Sequence, residues 1–575
     1  MANATWVKGN HNIKFGVDIE RLDNNNWELG TNGGSFTFAG GPTTVKGGPS
    51  SNQYNSYSTF LLGYTTGASN SFMQGDYATG RMWANSLYVR DQWQVSRTLT
   101  ASLGVRWDYL PFGTGASRGF ETYNFQTNTM YLCGLGSTPR NCGVKVPKKD
   151  FSPRVGLAWR ATPTFVVRAG FGINFDPNPL AWVRDFVGEA ELQVSPSWPT
   201  PANAFLPASL LRDGIPAPVF PDVSSGVIPN YPLTQAFTVP PPVYHMPYIE
   251  SWNFTIEKQL PKGFLAQAGY VGDRQIKQLQ VMNVNAGAVP GAGTAGEPLF
   301  QRFGRTGSSG LIENYGRNSY DSLQTKLIKS YSNGLTLNAT YTFSKALALC
   351  CDTLSDKNPA IQAPQYRNLN KALWAANRTH MFAMSSVYQL PFGPGKTWLT
   401  HGFAGTIARG WQIQGILTMY SGQPFSVSAD GTSLSAPGNT QRANQVKQKV
   451  AILGGTGPGQ SWFDPLAFAP VTTPTFGTAG FNSLIGPGAV NLDAGLVREF
   501  AVAERWRIQL RADALNATNT PHFSNPSGNV SNLVLNPDGS VKSLGGYTTI
   551  TSTNGGIGRE GIDERMLRLG LRIRF

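Results

Sequence analysis

Four sets of residues in this 575-residue chain are of types that do chemistry. Gly115-Ala-Ser117-Arg-Gly119 fits G-x-S-x-G, the pattern that raises a nucleophilic serine on a strand–turn–helix elbow beside a paired histidine and acid. No helix pattern follows it, so it reads as loop. Gly291-Ala-Gly293-Thr-Ala-Gly296 fits the phosphate-cradling G-x-G-x-x-G, which works only inside a βαβ unit; none surrounds it, and it too reads as loop. The five histidines, His11, His245, His380, His401 and His522, are dispersed without H-E-x-x-H or other ligand spacing. His11 falls in a predicted turn and His522 just after a strand, where solvation is the simplest expectation. Cys133 and Cys142 are close enough to close a small ring in an oxidising compartment, while the adjacent Cys350 and Cys351 are poorly spaced for a mutual bridge. No catalytic set, cofactor site or metal site is expected, and enzyme activity is not.

A second kind of chemistry lies in charges spaced by two. Arg106 and Asp108, Arg168, and Arg511 and Asp513 each occupy the polar phase of a segment whose other phase is apolar. Facing a wet lumen, such groups line a solute path. The plainer expectation is ion pairs that tie lumen side chains to one another.

The elements that must position them are strands. In 99–109 the apolar Leu99, Ala101, Leu103, Val105, Trp107 and Tyr109 alternate with polar residues and Gly104, and segments 165–175, 335–344 and 506–514 alternate likewise. At the C-terminus Leu567, Leu569, Leu571, Ile573 and Phe575 share one face and Arg568, Gly570, Arg572 and Arg574 the other. Period-two contrast of this strength places one face against an apolar medium and the other against water. About fourteen such strands are expected, of roughly the 9–11 residues that a tilted membrane strand needs. Short turns fall near 96–97, 161–163, 261–262, 332–333 and 502–503. Long loops fall at 110–150, 176–247, 274–318, 345–378, 421–488 and 517–564, all after alternate strands. The segment 392–408 is long for the short-turn side. Trp93, Trp107, Tyr109, Trp411, Tyr420 and Trp506 lie near strand ends, as interfacial girdles require. The fold expected is therefore all-β, a transmembrane antiparallel outer-membrane β-barrel spanning 1–575 as one domain.

Composition agrees with this. Charged residues make up only 14%, Gly (65) and Pro (39) abound, and no apolar run is long enough for a membrane helix. The formal net charge of +14 arises from Lys and Arg scattered singly along strands and loops. Nucleic-acid binding, which clusters them, is not expected. The start, MANATWVKGNHN, has no signal-peptide pattern.

Ordered segments resemble the barrel of TonB-dependent outer-membrane receptors of the Oar-like group. They are Gly9-Asn-His-Asn-Ile-Lys-Phe-Gly16, Ser86-Leu-Tyr-Val-Arg-Asp-Gln-Trp93, Ser152-Pro-Arg-Val-Gly-Leu-Ala-Trp159, Pro247-Tyr-Ile-Glu-Ser-Trp-Asn253 and Tyr341-Thr-Phe-Ser-Lys345. Gly410-Trp-Gln-Ile-Gln-Gly415, Ser421-Gly-Gln-Pro-Phe425 and Ala514-Leu-Asn-Ala-Thr-Asn519 continue the series. The resemblance implies a twenty-two-stranded barrel, of which these residues are the C-terminal portion. It further implies a plug, a TonB-contacting segment and a carboxypeptidase-regulatory-like domain, none visible in this sequence; Thr5-Trp6-Val7 reads as the tail of a further strand. It implies a solute taken at the extracellular loops, and outer-membrane lipid and the TonB complex as partners, the latter through the segments not seen. The strand ending in Phe575 resembles the signal read by the outer-membrane assembly machinery, carried by Leu567, Leu569, Leu571, Ile573 and Phe575. The location implied is the outer membrane of a Gram-negative bacterium. The alternatives are a self-contained porin-like passive channel and a structural or adhesion barrel.

Overall fold

The computed structural model describes residues 1–26, 33–70, 72–73, 78–115, 120–176, 193–194, 196, 201, 203–220, 222–349, 358–501, 506–553 and 563–575. Fifteen long strands run through them: β1 (Ala2–Lys8), β2 (His11–Asn26), β3 (Ala78–Gln94), β4 (Leu99–Tyr109), β5 (Asp150–Thr162), β6 (Phe165–Phe175), β7 (Tyr248–Leu260) and β8 (Phe264–Asn283). They continue with β9 (Ser309–Ser332), β10 (Leu335–Leu349), β11 (His380–Gln389), β12 (Trp411–Tyr420), β13 (Ala489–Ala501), β14 (Arg507–Leu515) and β15 (Met566–Arg574). Each pairs antiparallel with the next, from β1 on β2 through to β14 on β15. Two short strands, Phe237–Val239 on β9 and Lys371–Leu373 on β10, bring the sheet to seventeen. The extra long strand relative to the sequence expectation is β1, which pairs with β2 from Ala2 to Lys8 rather than only near Thr5–Val7.

Register keeps the two media apart. Across β12 to β15, Ile413 stands opposite Leu496, Leu496 opposite Ala512 and Ala512 opposite Leu569. On the reverse face Gln414, Gly495, Asp513 and Arg568 form the matching row. A slip of one residue would exchange the faces, so the pattern holds the register. The apolar row is uncovered: Leu569 is 88% exposed, and Leu103, Leu157, Phe254 and Leu510 are exposed as well. An apolar band this continuous is covered by lipid, not water. No described helix is long and apolar enough to cross a membrane, which bears on helices alone.

Seven connections on one side are long (27–77, 110–149, 176–247, 284–308, 350–379, 421–488 and 516–565), and six of the seven on the other side span two to five residues. Alternation in the sequence predicts a long loop over 274–318, but β8 and β9 pair onward to Asn283 and Gly310. Asp273, Arg274, Gln275 and Gln278 hide the strand from a hydropathy reading, while backbone pairing continues above the lipid through irregular steps at Gln275–Gln280. The apolar cores lie at the long-loop end, in the loops and the strand ends beside them. One gathers Met82, Phe112, Phe120, Tyr244, Met246 and Ile312 around Cys133; a second packs Phe425, Val427, Phe463, Phe468 and Tyr547 from the last two loops; a third holds Tyr123, Met130, Tyr231 and Phe237. Short helices α1 (Gln53–Leu61) and α2 (Pro298–Phe303) belong to these loops, and α3 (Gly402–Ala408) occupies the long connection 390–410 on the other side.

Candidate functional site

The register puts all five charges singled out in the sequence on the polar face. Arg106 Nε donates to Asp108 Oδ1 at 2.7 Å and its Nη2 to Ser86 Oγ at 2.7 Å, while Ser86 Oγ donates to Asp108 Oδ1 at 2.7 Å. Arg168 Nη1 reaches Glu257 Oε2 at 3.1 Å, and Arg511 Nε reaches Asp513 Oδ2 at 2.5 Å. Ion pairing of the plain kind thus accounts for their immediate contacts.

Two cavities open beside them. One of about 280 Å³ is lined by Asp18, Glu20, Arg106, Asp108, Arg154 and Asn174. The other, about 430 Å³, is lined by Asn338, Ser385, Gln414, Asp493, Asp513 and Arg568 among others, and Gln414 Nε2 donates to Asp513 Oδ1 at 3.4 Å. Sequence reading missed Asp18, Glu20, Arg154 and Asp493. Their signal was present: each falls on the polar phase of its strand, and only the register shows that the phases meet.

Both signs of charge occur at each end of this face, Glu257 and Glu499 near the short turns and Arg106 and Arg154 toward the long loops. Near the short turns lie Lys14, Arg90, Arg160, Lys326, Arg572 and Arg574, none with an acidic partner among the described residues. Lys14 stands directly opposite Arg90, and Arg574 opposite Arg507. Toward the long loops lie Asp18, Glu20, Asp108, Asp150, Asp273 and Asp493, with Asp150 opposite Asp108. At the basic pairs, like charges placed face to face persist where water screens them; Asp108 is instead buried, held by Arg106 and Ser86.

Above the polar face the loops form a folded canopy. Its third core is built around Arg305, fully buried, whose guanidinium lies 4.6 Å from the Phe237 ring centre and 5.2 Å from that of Tyr231. Nε donates to Ser309 Oγ and Nη1 to the Pro232 carbonyl, each at 2.8 Å, and Nη2 to the Gln235 carbonyl. Hydrogen bonds and ring faces together replace the lost hydration of the cation. Asn285 ties α2 to the same region, its side chain accepting from Leu299 N at 2.8 Å and donating to the Arg305 carbonyl at 3.0 Å. Glu297, just before α2, is buried with Oε2 unpartnered, and burial holds its carboxyl above the usual range. Burial likewise raises the Tyr244 and Tyr547 phenols and lowers the His245 imidazole, with the Lys277 charge adding to the latter. Cys133 and Cys142 form a disulfide with Cα atoms 5.1 Å apart.

Several expectations need revision. His11 is not in a turn but opens β2, its ring stacked on Trp93 and Nδ1 2.6 Å from Asp91 Oδ2. His522 is not solvated: it is 2% exposed, with Nδ1 2.5 Å from Asp563 Oδ1 and Nε2 3.1 Å from the Val490 carbonyl. Three segments distant in sequence converge there, which no local pattern discloses. Gly293–Gly296 forms a 3₁₀ turn leading into α2 between antiparallel β8 and β9, as a loop reading requires. Ser117 and its motif partners 116–119, Cys350, Cys351 and the turn 502–505 lie outside the described residues. Among the described residues, no three His, Cys, Asp or Glu side chains are grouped to hold a metal ion.

An antiparallel meander with a lipid-facing band on one face, charged residues on the other and all long loops at one end defines a transmembrane β-barrel protein of the outer-membrane type. Sequence comparison agrees: the chain belongs to the outer membrane beta barrel domain family, whose profile matches residues 1–566. It is an outer-membrane protein. No curated protein matches it significantly. Among solved structures it is similar to the outer membrane transporter YddB from Escherichia coli, at 11% identity and a TM-score of 0.47 over 99% of this chain and 52% of that one. Similarity extends to the siderophore receptor PiuA from Acinetobacter baumannii, at 10% identity and 0.42 over 99% and 54%. The ferric-catecholate import receptor Fiu from E. coli K12 gives 12% identity and 0.41 over 100% and 53%. The chain spans about half the length of the solved structures it matches.

Proposed function

We propose that the chain is the barrel portion of a TonB-dependent, Oar-like outer-membrane receptor, which takes a solute at its loop canopy and admits it along the polar face when the TonB complex acts on a plug. The observation that carries this reading is the canopy. Loops that only joined strands would stay short, whereas these build buried cores and a disulfide at one end of the sheet. The ordered sequence segments support the same reading.

The sheet edges support a larger barrel. Among the described residues no pairing joins β1 to β15. Fifteen strands is an odd number, so the first and last run in the same direction, and antiparallel closure requires an odd number of further strands. The twenty-two that the resemblance implies leaves seven. In this reading residues 1–575 are one partial barrel domain. TonB is engaged only through a plug and contact segment elsewhere in the protein, and Leu567, Leu569, Leu571, Ile573 and Phe575 present the assembly signal. The lumen-lining role falls to Arg106, Asp108, Arg168, Arg511 and Asp513. The charged residues along the polar face favour, as second reading, a passive channel.

Deletion of TonB separates the two. Solute depletion by cells producing the protein from its complete gene should stop without TonB and return with it. Uptake that persists without TonB, or steady conductance of the purified chain in planar bilayers, would support the passive channel instead.

A further inference from the structure

The connection 390–410 is the one long segment on the short-turn side, and it is built around α3. Its apolar side chains point away from the protein: Phe403 is 81% exposed, and Trp398, Leu399 and Ile407 are each about half exposed. Two contacts show where the segment sits. Trp411 and Arg498 are register partners on the apolar face, in line with Ile413, Leu496 and Leu510. Trp411 Nε1 donates to the Ile407 carbonyl at 3.0 Å, and Arg498 Nη2 donates to the Thr406 carbonyl at 2.8 Å. The segment therefore lies over the lipid-facing side at the foot of β12 and β13, not beneath the lumen. Arg498 is itself seated on the rings of Phe500 and Trp411, 4.1 and 5.3 Å away. Near Gly405 the chain passes so closely that a Cβ would stand 2.4 Å from the Leu399 carbonyl oxygen, so the helix packs against the irregular segment 398–401.

We propose that residues 398–408 form a foot bedded in the periplasmic leaflet of the outer membrane. Phe403, Ile407, Trp398 and Leu399 enter the headgroup–acyl boundary, and the exposed Arg409 faces lipid phosphate. Lipid is the occupant because the exposed side chains continue, without a break, the band that lipid already covers. A seven-residue helix is too short to hold its shape in water unaided, and among the described residues it rests on the segment 398–401 and on the pair Trp411 and Arg498. The proposal rests on the outer-membrane location and is independent of the receptor reading.

The test uses the purified full chain in vesicles of phosphatidylethanolamine and phosphatidylglycerol. A nitroxide is placed at Phe403→Cys with Cys350→Ser and Cys351→Ser removing competing thiols. Its spin relaxation should respond more to dissolved oxygen than to an aqueous nickel chelate, as a label at Leu417→Cys in the lipid band does, with the order reversed at Lys542→Cys in the canopy. Chelate access at 403 equal to that at 542 would overturn the proposal, as would be seen were the face reserved for a periplasmic protein. In a second variant, Phe403→Glu with Ile407→Glu, a label at Leu399→Cys should move into water while one at Leu417 stays in lipid. A label at 399 that stays in lipid there also sinks it.

Discussion

Single residues divide by whether water reaches them. Arg106, Asp108, Arg168, Arg511 and Asp513 were legible because charge at every second position in an apolar strand has only one face to occupy. Arg305, Glu297 and the His522–Asp563 pair were not, because the residues that bury them arrive from loops with no period, 41 residues apart in the last case. Glu297 yields a test. Burial holds its folded carboxyl above the ordinary value, so the canopy is unpenalised while the group is protonated and loses stability as pH rises through the raised value. Glu297→Gln should therefore match the wild type in canopy melting near pH 4 and exceed it near pH 8. Equal melting at both pH values would show that the carboxylate is hydrated after all.

At the scale of elements, strands that separate lipid from water announce themselves in sequence, since each medium enforces one phase. What failed to show was their reach beyond the membrane: Asp273, Arg274, Gln275 and Gln278 break the phase of β8, and the apolar Leu279, Met282 and Ile312 beyond them are buried among loop residues rather than facing lipid. The canopy cores were silent for the related reason that irregular loops bury residues without periodicity. The two faces differ sharply in what they tolerate. Leu510→Arg, in the outward row of β14, should cost about 2–4 kcal/mol in lipid. Arg511→Leu, one residue along on the wet face, should cost well under about 1 kcal/mol beyond the loss of its exposed pair with Asp513. Urea titrations of both variants folded into vesicles check this, and similar costs for the two would show that the face assignment of β14 is wrong.

For the whole molecule the decisive fact is parity. β1 and β15 run in the same direction, so they should not meet. Thr5→Cys and Arg572→Cys, in a background lacking Cys350 and Cys351, should fail to cross-link in the membrane, because seven intervening strands would hold them roughly 38 Å apart. Gln509→Cys with Arg572→Cys, directly opposite in register, supplies the positive control. An efficient bond between positions 5 and 572 would mean that the sheet closes on itself. The one-sided canopy carries a last implication, about time. A chain that reaches the outer membrane from within must pass every long connection through the hydrocarbon layer, where an assembled core with its buried Arg305 cannot travel. The canopy is consequently the youngest part of the molecule: the strands find their neighbours first, and the loop residues pack together only once they have crossed.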